Sequence, residues 1–585
     1  MRSSLAALLI LLASGVSPAA DPAGVPIVPR PVSIEMRDGR FVLRTDSIIV
    51  AEKAVAAEAH RLAGALAPGM GSTPRVVVTR NVAAARRRLR LCSKKARDPS
   101  RCRSWIRFDR VRRRPPAAEG YLLDVSPGVV RIQAGDEAGL FYGAESFRQL
   151  LPPTIFANAP AATEWAAPCV LVADEPRFRW RGAMLDSGRH FMPKAVVLKL
   201  IDLLALHKLN RFHWHLTDDQ GWRLEIRKYP KLTQIGSMRA ESPVRFLPHG
   251  DFLNFITNSF FGAQPTTLDG VPHGGFYTQD EVREVVAYAD ARHVQIVPEI
   301  DMPGHITSAI AAHPELGNTG QPIPVATTVG IHEDILNVKD ETFLFLEDVL
   351  GEMLELFPGD FVHVGGDEVP VVQWEQSADA QQRMAALGLT DAHQLATYFT
   401  NRIGAFVAGR GRRYIGWNDI LRDGLAPDAA IMSWTGAGPG AAAAQAGRDV
   451  VMAPLGETYF DHTNALPLPP AEQALLEAAA GAGLAPLFVT TVEEAYGFEP
   501  VPSELTPDQA THILGGQAQL WTEWMLDGRD VERAGFPRLS AFAEAVWTPA
   551  AQRDYPDFAV RLGTHLARLD ALDVCYFGTS AATCP

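Results

Sequence analysis

At 585 residues the chain is too long for one hydrophobic core, so two or more domains are expected. Hydrophobic residues make up 47% and charged residues 21%, ordinary values for a globular protein. The net charge of -12 argues against a nucleic-acid partner, because phosphate binding needs a basic surface.

The chain opens with Arg2, an apolar run from Leu5 to Val16, and Ser17-Pro18-Ala19-Ala20. A basic start, a short apolar core and small residues behind it predict a signal peptide over 1–20. The run is too short for a comfortable membrane span, and no later run is long and charge-free. The mature protein is therefore expected to be exported, periplasmic or extracellular, with no membrane span. Export permits disulfides. Of five cysteines, Cys92 and Cys102 are neighbours in sequence, as are Cys575 and Cys584. Two local bridges are expected, with Cys169 buried and free. Cysteine and histidine spacing predicts no metal site, and no cofactor is expected.

Residues 21–175 read as a smaller α+β domain. Short β-like runs (Ser47 to Val50, Val76 to Thr79, Tyr121 to Val125, Val129 to Gln133) precede an amphipathic helix from Ala138 to Leu151. Within it, Arg86 to Arg114 holds fourteen Lys/Arg against Asp98 and Asp109. Such a charge run reads as a solvated surface insertion. The alternative is contact with an anionic surface, either lipid headgroups or a polyanionic glycan.

From 176 to 585 apolar strands alternate with helical segments. Candidate strands are Arg181 to Asp186, Arg211 to Leu216, Val294 to Ile300, Phe361 to Val364, Tyr414 to Trp417, Ala430 to Trp434, Asp449 to Ala453 and Ile513 to Leu520. Helical patterns such as Lys194 to His207, Gln279 to Arg292 and Phe343 to Phe357 lie between them. This alternation predicts an α/β fold, a (β/α)8 TIM barrel with its active site at the C-terminal strand ends.

The strongest chemical signal is His363-Val364-Gly365-Gly366-Asp367-Glu368, a strand running into two glycines and two adjacent carboxylates. Neighbouring carboxylates in a water-poor pocket cannot both ionise cheaply. One is pushed up as an acid and the other stays an anion. On the hexapeptide alone, a turn with a helix-capping Asp is an equal reading. The other strand ends decide between them. Arg181 to Phe191, Asn210 to Arg223 and Pro298 to His305 each deliver a dense polar and aromatic set that packing does not explain.

These segments resemble the family-20 glycoside hydrolases, the β-N-acetylhexosaminidases. So do Ile27-Val28-Pro29-Arg30-Pro31, Glu119-Gly120-Tyr121 and Gly139-Leu140-Phe141-Tyr142-Gly143. The resemblance implies an exo-acting, retaining enzyme in which the substrate's 2-acetamido oxygen attacks its own anomeric carbon, an exception to the two-carboxylate rule. It implies Glu368 as acid and base, Asp367 as the anion that orients the acetamido group, and Tyr459 as a donor to the acetamido oxygen. It places Asp218 and His305 in a network around the acid, although His305 also reads as a structural histidine. Substrate binding is assigned to Arg189, Asp461 and Glu523, with Trp417, Trp434 and Trp521 as pocket walls. Trp547 is assigned to packing. The expected partners are β-linked N-acetylhexosamine glycans or chitooligosaccharides. Two departures stand out. A pocket tryptophan the family often carries before Thr491 is missing, with Phe488 a candidate replacement, and Asn418-Asp419 follows Trp417 where the family usually has Asp-Glu. Three alternatives differ in outcome: a non-catalytic glycan-binding protein, a same-family enzyme releasing a disaccharide or sulfated sugar, and a two-carboxylate glycosidase with Glu299 or Asp301 as nucleophile.

Overall fold

A computed structural model describes residues 25–94, 101–113, 115–244, 267–464 and 489–578. The expected signal peptide, Phe488 and Cys584 lie outside them. The first unit is a seven-stranded sheet of β1 Ser33–Leu43, β2 Ile48–Ala51, β3 Arg75–Val78, β4 Trp105–Arg110, β5 Tyr121–Ser126, β6 Val129–Ala134 and β7 Trp165–Asp174. Their spatial order is β1-β7-β5-β6-β4-β2-β3. Alternation sends Ile49, Ile106, Phe108, Val130 and Ile132 to one face, into the main core with residues of α1 (Ala56–Met70) and α3 (Glu137–Gln149). Helix α3 starts at Asp136, whose side chain accepts from Gly139 N at 2.8 Å. Gly139 admits no side chain, since a Cβ there would sit 2.3 Å from Gly120 O.

The basic stretch contains a strand of the sheet. Helix α2 (Val82–Arg88) ends in three arginines, and the chain then enters β4, which pairs in parallel with both β2 and β6. Trp105, Ile106 and Phe108 are buried, so the Trp105–Arg110 part of the stretch belongs to the sheet interior. The charge run concealed this because the apolar residues of β4 alternate with basic ones. Cys92 and Cys102 form a disulfide, as expected, and the Trp105 indole donates to Cys92 O at 2.9 Å. Arg86, Arg87, Arg88, Arg90, Arg101 and Arg103 remain exposed on this frame. Cys169 is free and buried, and Cys575 is disulfide-bonded.

The second unit is a closed barrel of eight parallel strands: β8 Trp180–Asp186, β9 Arg211–His215, β10 Gln295–Glu299, β11 Phe361–His363, β12 Arg413–Trp417, β13 Ala430–Ser433, β14 Val450–Met452 and β15 Ile513–Leu520. They stand where the βα alternation placed them. The barrel is packed through its middle by Trp180, Met184, Val297, Phe361, Ile415, Met432, Val451 and Leu514, so only its C-terminal mouth can form a pocket.

Buried polar contacts join the two units. Lys208 Nζ, after α4 (Lys194–Leu206), meets Asp174 Oδ2 of β7 at 2.9 Å and donates to Tyr121 Oη at 2.9 Å. The Trp547 indole donates to Asp174 Oδ1 at 3.0 Å, so this residue is both packed and hydrogen-bonded. Arg181 Nη1 meets Glu119 Oε2 at 2.8 Å. Both members of the Lys208–Asp174 pair are fully buried. Lys208→Met leaves Asp174 an uncompensated charge and is expected to destabilise the protein by about 3–5 kcal/mol. Chemical denaturation measures this, and a loss below about 1 kcal/mol would show the pair to be dispensable.

Candidate active site

The mouth of the barrel is organised around Glu299, the last residue of β10. Its side chain is fully buried. His213 Nε2 lies 3.0 Å from Oε2, and His215 Nδ1 meets the same oxygen in a short contact. His363 Nδ1 lies 2.6 Å from Oε1, and the Trp417 indole donates to Oε1 at 2.9 Å. Residues 213 and 215 alternate on β9, so both rings face inward while Trp214 faces the outer core.

His215 carries the network outward. Its Nε2 lies 2.9 Å from Asp218 Oδ2, and burial opposes its charge, but Glu299 and Asp218 win and hold it up at about 10. His213 behaves oppositely: burial brings it down to about 4 despite Glu299. Asp218 Oδ2 also meets Arg189 Nε at 2.9 Å. The Arg189 guanidinium lies 3.5 Å from Asp186, 3.8 Å from Glu523 and over the Trp521 ring at 4.7 Å. Burial pushes the Glu523 carboxyl up to about 7, with Arg189 opposing.

A second branch reaches the acid pair. His305 Nδ1 lies 3.1 Å from Asp219 and 3.6 Å from Asp218, and its Nε2 lies 3.3 Å from Glu368 Oε2. Burial disfavours the imidazolium, yet Asp218, Asp219 and Glu368 together hold His305 well above the usual histidine range. Asp219, absent from the sequence reading, is the nearer partner, and Thr307 fixes it from the other side. His305 (φ 47°) and Glu368 (φ 49°) both occupy the left-handed region that L side chains avoid, and both border the acid pair. The turn before it needs its glycines. Gly365 and Gly366 have φ 63° and 92°, and Cβ atoms there would strike Asp301 and Ile420 at 1.6 and 2.4 Å.

The acid pair departs from expectation in one respect. The carboxyl pushed well above the usual range is Asp367, the expected anion. Burial is the main cause, with Asp301, Asp419 and Glu368 adding to it and His305 opposing. The Asp367 side chain is 14% exposed and that of Glu368 33%, so the depth of each residue decides which one water deserts.

Aromatic rings wall the mouth. Trp417 and Trp521 lie 5.7 Å apart, Tyr459 stands 6.3 Å from Trp521, and Trp434 stacks on Tyr459 at 6.4 Å. Tyr459 is buried, shares a hydrogen bond with Trp521, and feels Asp461, Asp367 and Glu368. Asp461, two residues on, is buried beside it. The Asn418-Asp419 departure has a visible consequence. Asn418 Oδ1 accepts from Trp434 N at 2.8 Å, and Asp419 accepts from the Trp434 indole at 2.7 Å. Both side chains therefore fix a pocket wall.

Among the described residues two buried groups have metal-ligand residue types, His213/Glu299/His363 and Asp218/Asp219/His305. Their carboxylate oxygens already take N–H or O–H groups, so the arrangement works as an ion-pair network.

A model of the glycosyl hydrolase family 20 catalytic domain matches residues 178–550, and one of that family's domain 2 matches 24–175. The chain belongs to glycosyl hydrolase family 20. A Porphyromonas gingivalis beta-hexosaminidase is 39% identical over 464 residues, 79% of this chain and 55% of that protein. The chain thus spans about half the length of this relative. A Cellulomonas fimi beta-N-acetylhexosaminidase is 30% identical over 556 residues, 92% of this chain and 93% of the relative. The solved family-20 beta-N-acetylhexosaminidase of Streptomyces coelicolor superposes with TM-score 0.75 at 28% identity, covering 96% of this chain and 99% of that one. An exo beta-N-acetylglucosaminidase of Vibrio harveyi, solved with N-acetylglucosamine, gives TM-score 0.75 at 30% identity, covering 96% and 80%.

The charge on His215 makes stability depend on pH. Its folded value, about 10, lies above the ordinary histidine value, so its contribution is complete below about pH 6.5 and lost as pH rises through about 10. The stability difference between wild type and His215→Gln is expected to shrink over that interval in denaturant titrations. A constant difference would contradict a charged His215.

Proposed function

We propose that the protein is an exo-acting, retaining β-N-acetylhexosaminidase that cleaves terminal N-acetylglucosamine or N-acetylgalactosamine from β-linked glycans or chitooligosaccharides. The observation that carries this reading is the sequestration of the two alternative nucleophiles. Glu299 is shared among three imidazoles and an indole, and Asp301 is 1% exposed with one oxygen taken by Gly366 N. Neither can reach a sugar. The nucleophile is then the substrate's own acetamido oxygen.

In the first step that oxygen bonds to the anomeric carbon, the glycosidic C–O bond breaks, and Glu368 gives its proton to the leaving oxygen. The resulting oxazolinium is positive. Asp367 accepts from its N–H, and Tyr459 donates to its oxygen, so both act where charge develops. In the second step Glu368 takes a proton from water, water oxygen bonds to the anomeric carbon, and the ring C–O bond breaks. Two inversions give net retention. His305 positions Glu368, and Arg189, Asp461 and Glu523 grip the sugar hydroxyls at the closed end. That closure favours exo action over release of a disaccharide. Trp417, Trp434 and Trp521 supply flat apolar faces for the ring and the acetamido methyl. The complete set of groups argues against a non-catalytic binding protein.

Glu368→Gln is expected to lose activity by about 10²–10⁴-fold on poor leaving groups such as a second sugar, and far less on nitrophenyl glycosides. Asp367→Asn should depress both. Steady-state kinetics on both substrate classes test this, and equal residual activity of the two variants on every substrate would sink the assignment.

The apolar N-terminal run and the Cys92–Cys102 bridge support export to the periplasm or beyond. Among the described residues no helix is long and apolar enough to cross a membrane. The exposed arginines from Arg86 to Arg103 support a second contact, with an anionic surface. Deleting the stretch would remove a sheet strand, so charge reversal is the proper probe. Arg86→Glu with Arg87→Glu and Arg88→Glu should abolish salt-dependent binding to anionic vesicles or sulfated glycans while leaving turnover of a small chromogenic substrate intact. Unchanged binding would dismiss the contact.

A further inference from the structure

Asp301 lies two residues beyond Glu299, at the rim of the barrel and beneath the turn that presents the acid pair. Its backbone N–H donates to Thr217 Oγ1 at 3.2 Å. Its Oδ1 accepts from Gly366 N–H at 3.0 Å and fills the place a side chain on Gly365 would take. Its carboxyl lies within hydrogen-bonding reach of the carboxyl of Asp367. No amide, hydroxyl or imidazole donor among the described residues reaches the buried Asp367 Oδ1. Two carboxyl groups can share a hydrogen bond only if one of them keeps a proton. Buried side by side, they titrate as a unit that holds a single proton near neutral pH.

We propose that Asp301 keeps that proton and acts as a positioning residue: its hydroxyl donates to Asp367, which is thereby the anion facing the acetamido N–H. This rests on the hexosaminidase reading above. The assignment of the proton follows from what surrounds each carboxyl. Asp301 uses Oδ1 as an acceptor, as the carbonyl of a neutral acid does, which leaves Oδ2 as the oxygen to carry the hydrogen. Asp367 has the exposed side of the pair and the His305 imidazolium 3.9 Å away, both of which favour the anion. The other charged groups facing the pair are Glu299, Asp218, Asp419 and Glu368, all acidic. Burial and then Glu299 push Asp301 up to about 8, with His305 and the Asp367 hydrogen bond opposing. The high position of Asp367 therefore belongs to the pair, and a bound acetamido N–H draws Asp367 further toward the anion. Above the pair's upper value the shared proton is lost, two anions face each other, and Asp367 no longer holds the acetamido group in line.

Asparagine at 301 reproduces the proposed state permanently: its carbonyl accepts from Gly366 N–H and its amide donates to Asp367. Leucine has the same bulk and neither group. The test is kcat and kcat/KM against pH on a nitrophenyl N-acetylglucosaminide for wild type, Asp301→Asn and Asp301→Leu. Wild type should lose kcat/KM on the alkaline side as the shared proton leaves the pair. Asp301→Asn should stay within about tenfold of wild type near neutrality, with its alkaline limb moved up by at least about one pH unit. Asp301→Leu should fall by about 100-fold or more. Should the leucine variant fail to fold, the asparagine profile alone decides. An unshifted alkaline limb in Asp301→Asn, or a loss as deep as that of a folded leucine variant, overturns the proposal. If wild type turns over no N-acetylhexosaminide at any pH, the functional reading itself fails; normal wild-type turnover with an unshifted asparagine profile removes only the role of Asp301.

Discussion

One buried carboxylate holds the mouth of this barrel together. Glu299 takes hydrogen bonds from His215 on β9 and Trp417 on β12 and lies against His213 and His363, so the neighbouring ends of β9, β11 and β12 are tied to one charge. A carboxylate with no water near it is costly unless its oxygens are fully engaged. Here the engagement is also structural. It orients Trp417 as a pocket wall and keeps His215 charged, and it removes Glu299 itself from any direct role in chemistry.

From that anchor charge alternates outward. The His215 imidazolium meets Asp218, and Asp218 meets both the Arg189 guanidinium and, through the shared His305, the acid pair. The groups that would grip the sugar and those that would cleave its bond are therefore two branches of one ion-pair network. Each branch ends on a carboxyl displaced upward by burial, Glu523 at the closed end and Asp367 at the acid pair. Such displaced acids are expected where substrate hydroxyls and amides are to be recognised.

The smaller unit serves the barrel from behind. Lys208, Arg181 and Trp547 sit below the packed interior and bind Asp174, Tyr121 and Glu119 of the sheet unit. The opening segment threads the same seam, where Gln149 bonds both Val28 N and Val28 O and Glu544 accepts from Arg30 N. Within Gly139 to Gly143, Tyr142 meets the same seam, its hydroxyl accepting from the Arg181 guanidinium at 3.3 Å.

The order of elements was legible in the sequence because it depends on local rules. Apolar runs of strand length alternating with helical periodicity specify eight βα units, and polar residues at the strand ends specify which end is the mouth. The glycines before Asp367 announced a tight turn, since only glycine takes that backbone cheaply. What lay beyond the sequence depends on neighbours brought from afar. The sequence offers Glu299 and Asp301 as nucleophiles of a rival mechanism; folding packs imidazoles and an indole around the first and sets the second against Asp367. The sequence reads Arg86 to Arg114 as a charged insertion; folding turns Trp105–Arg110 within it into an inner strand. Adjacent Asp367 and Glu368 look alike on paper. Folding separates them: it buries the Asp367 side chain further than that of Glu368 and sets it against Asp301.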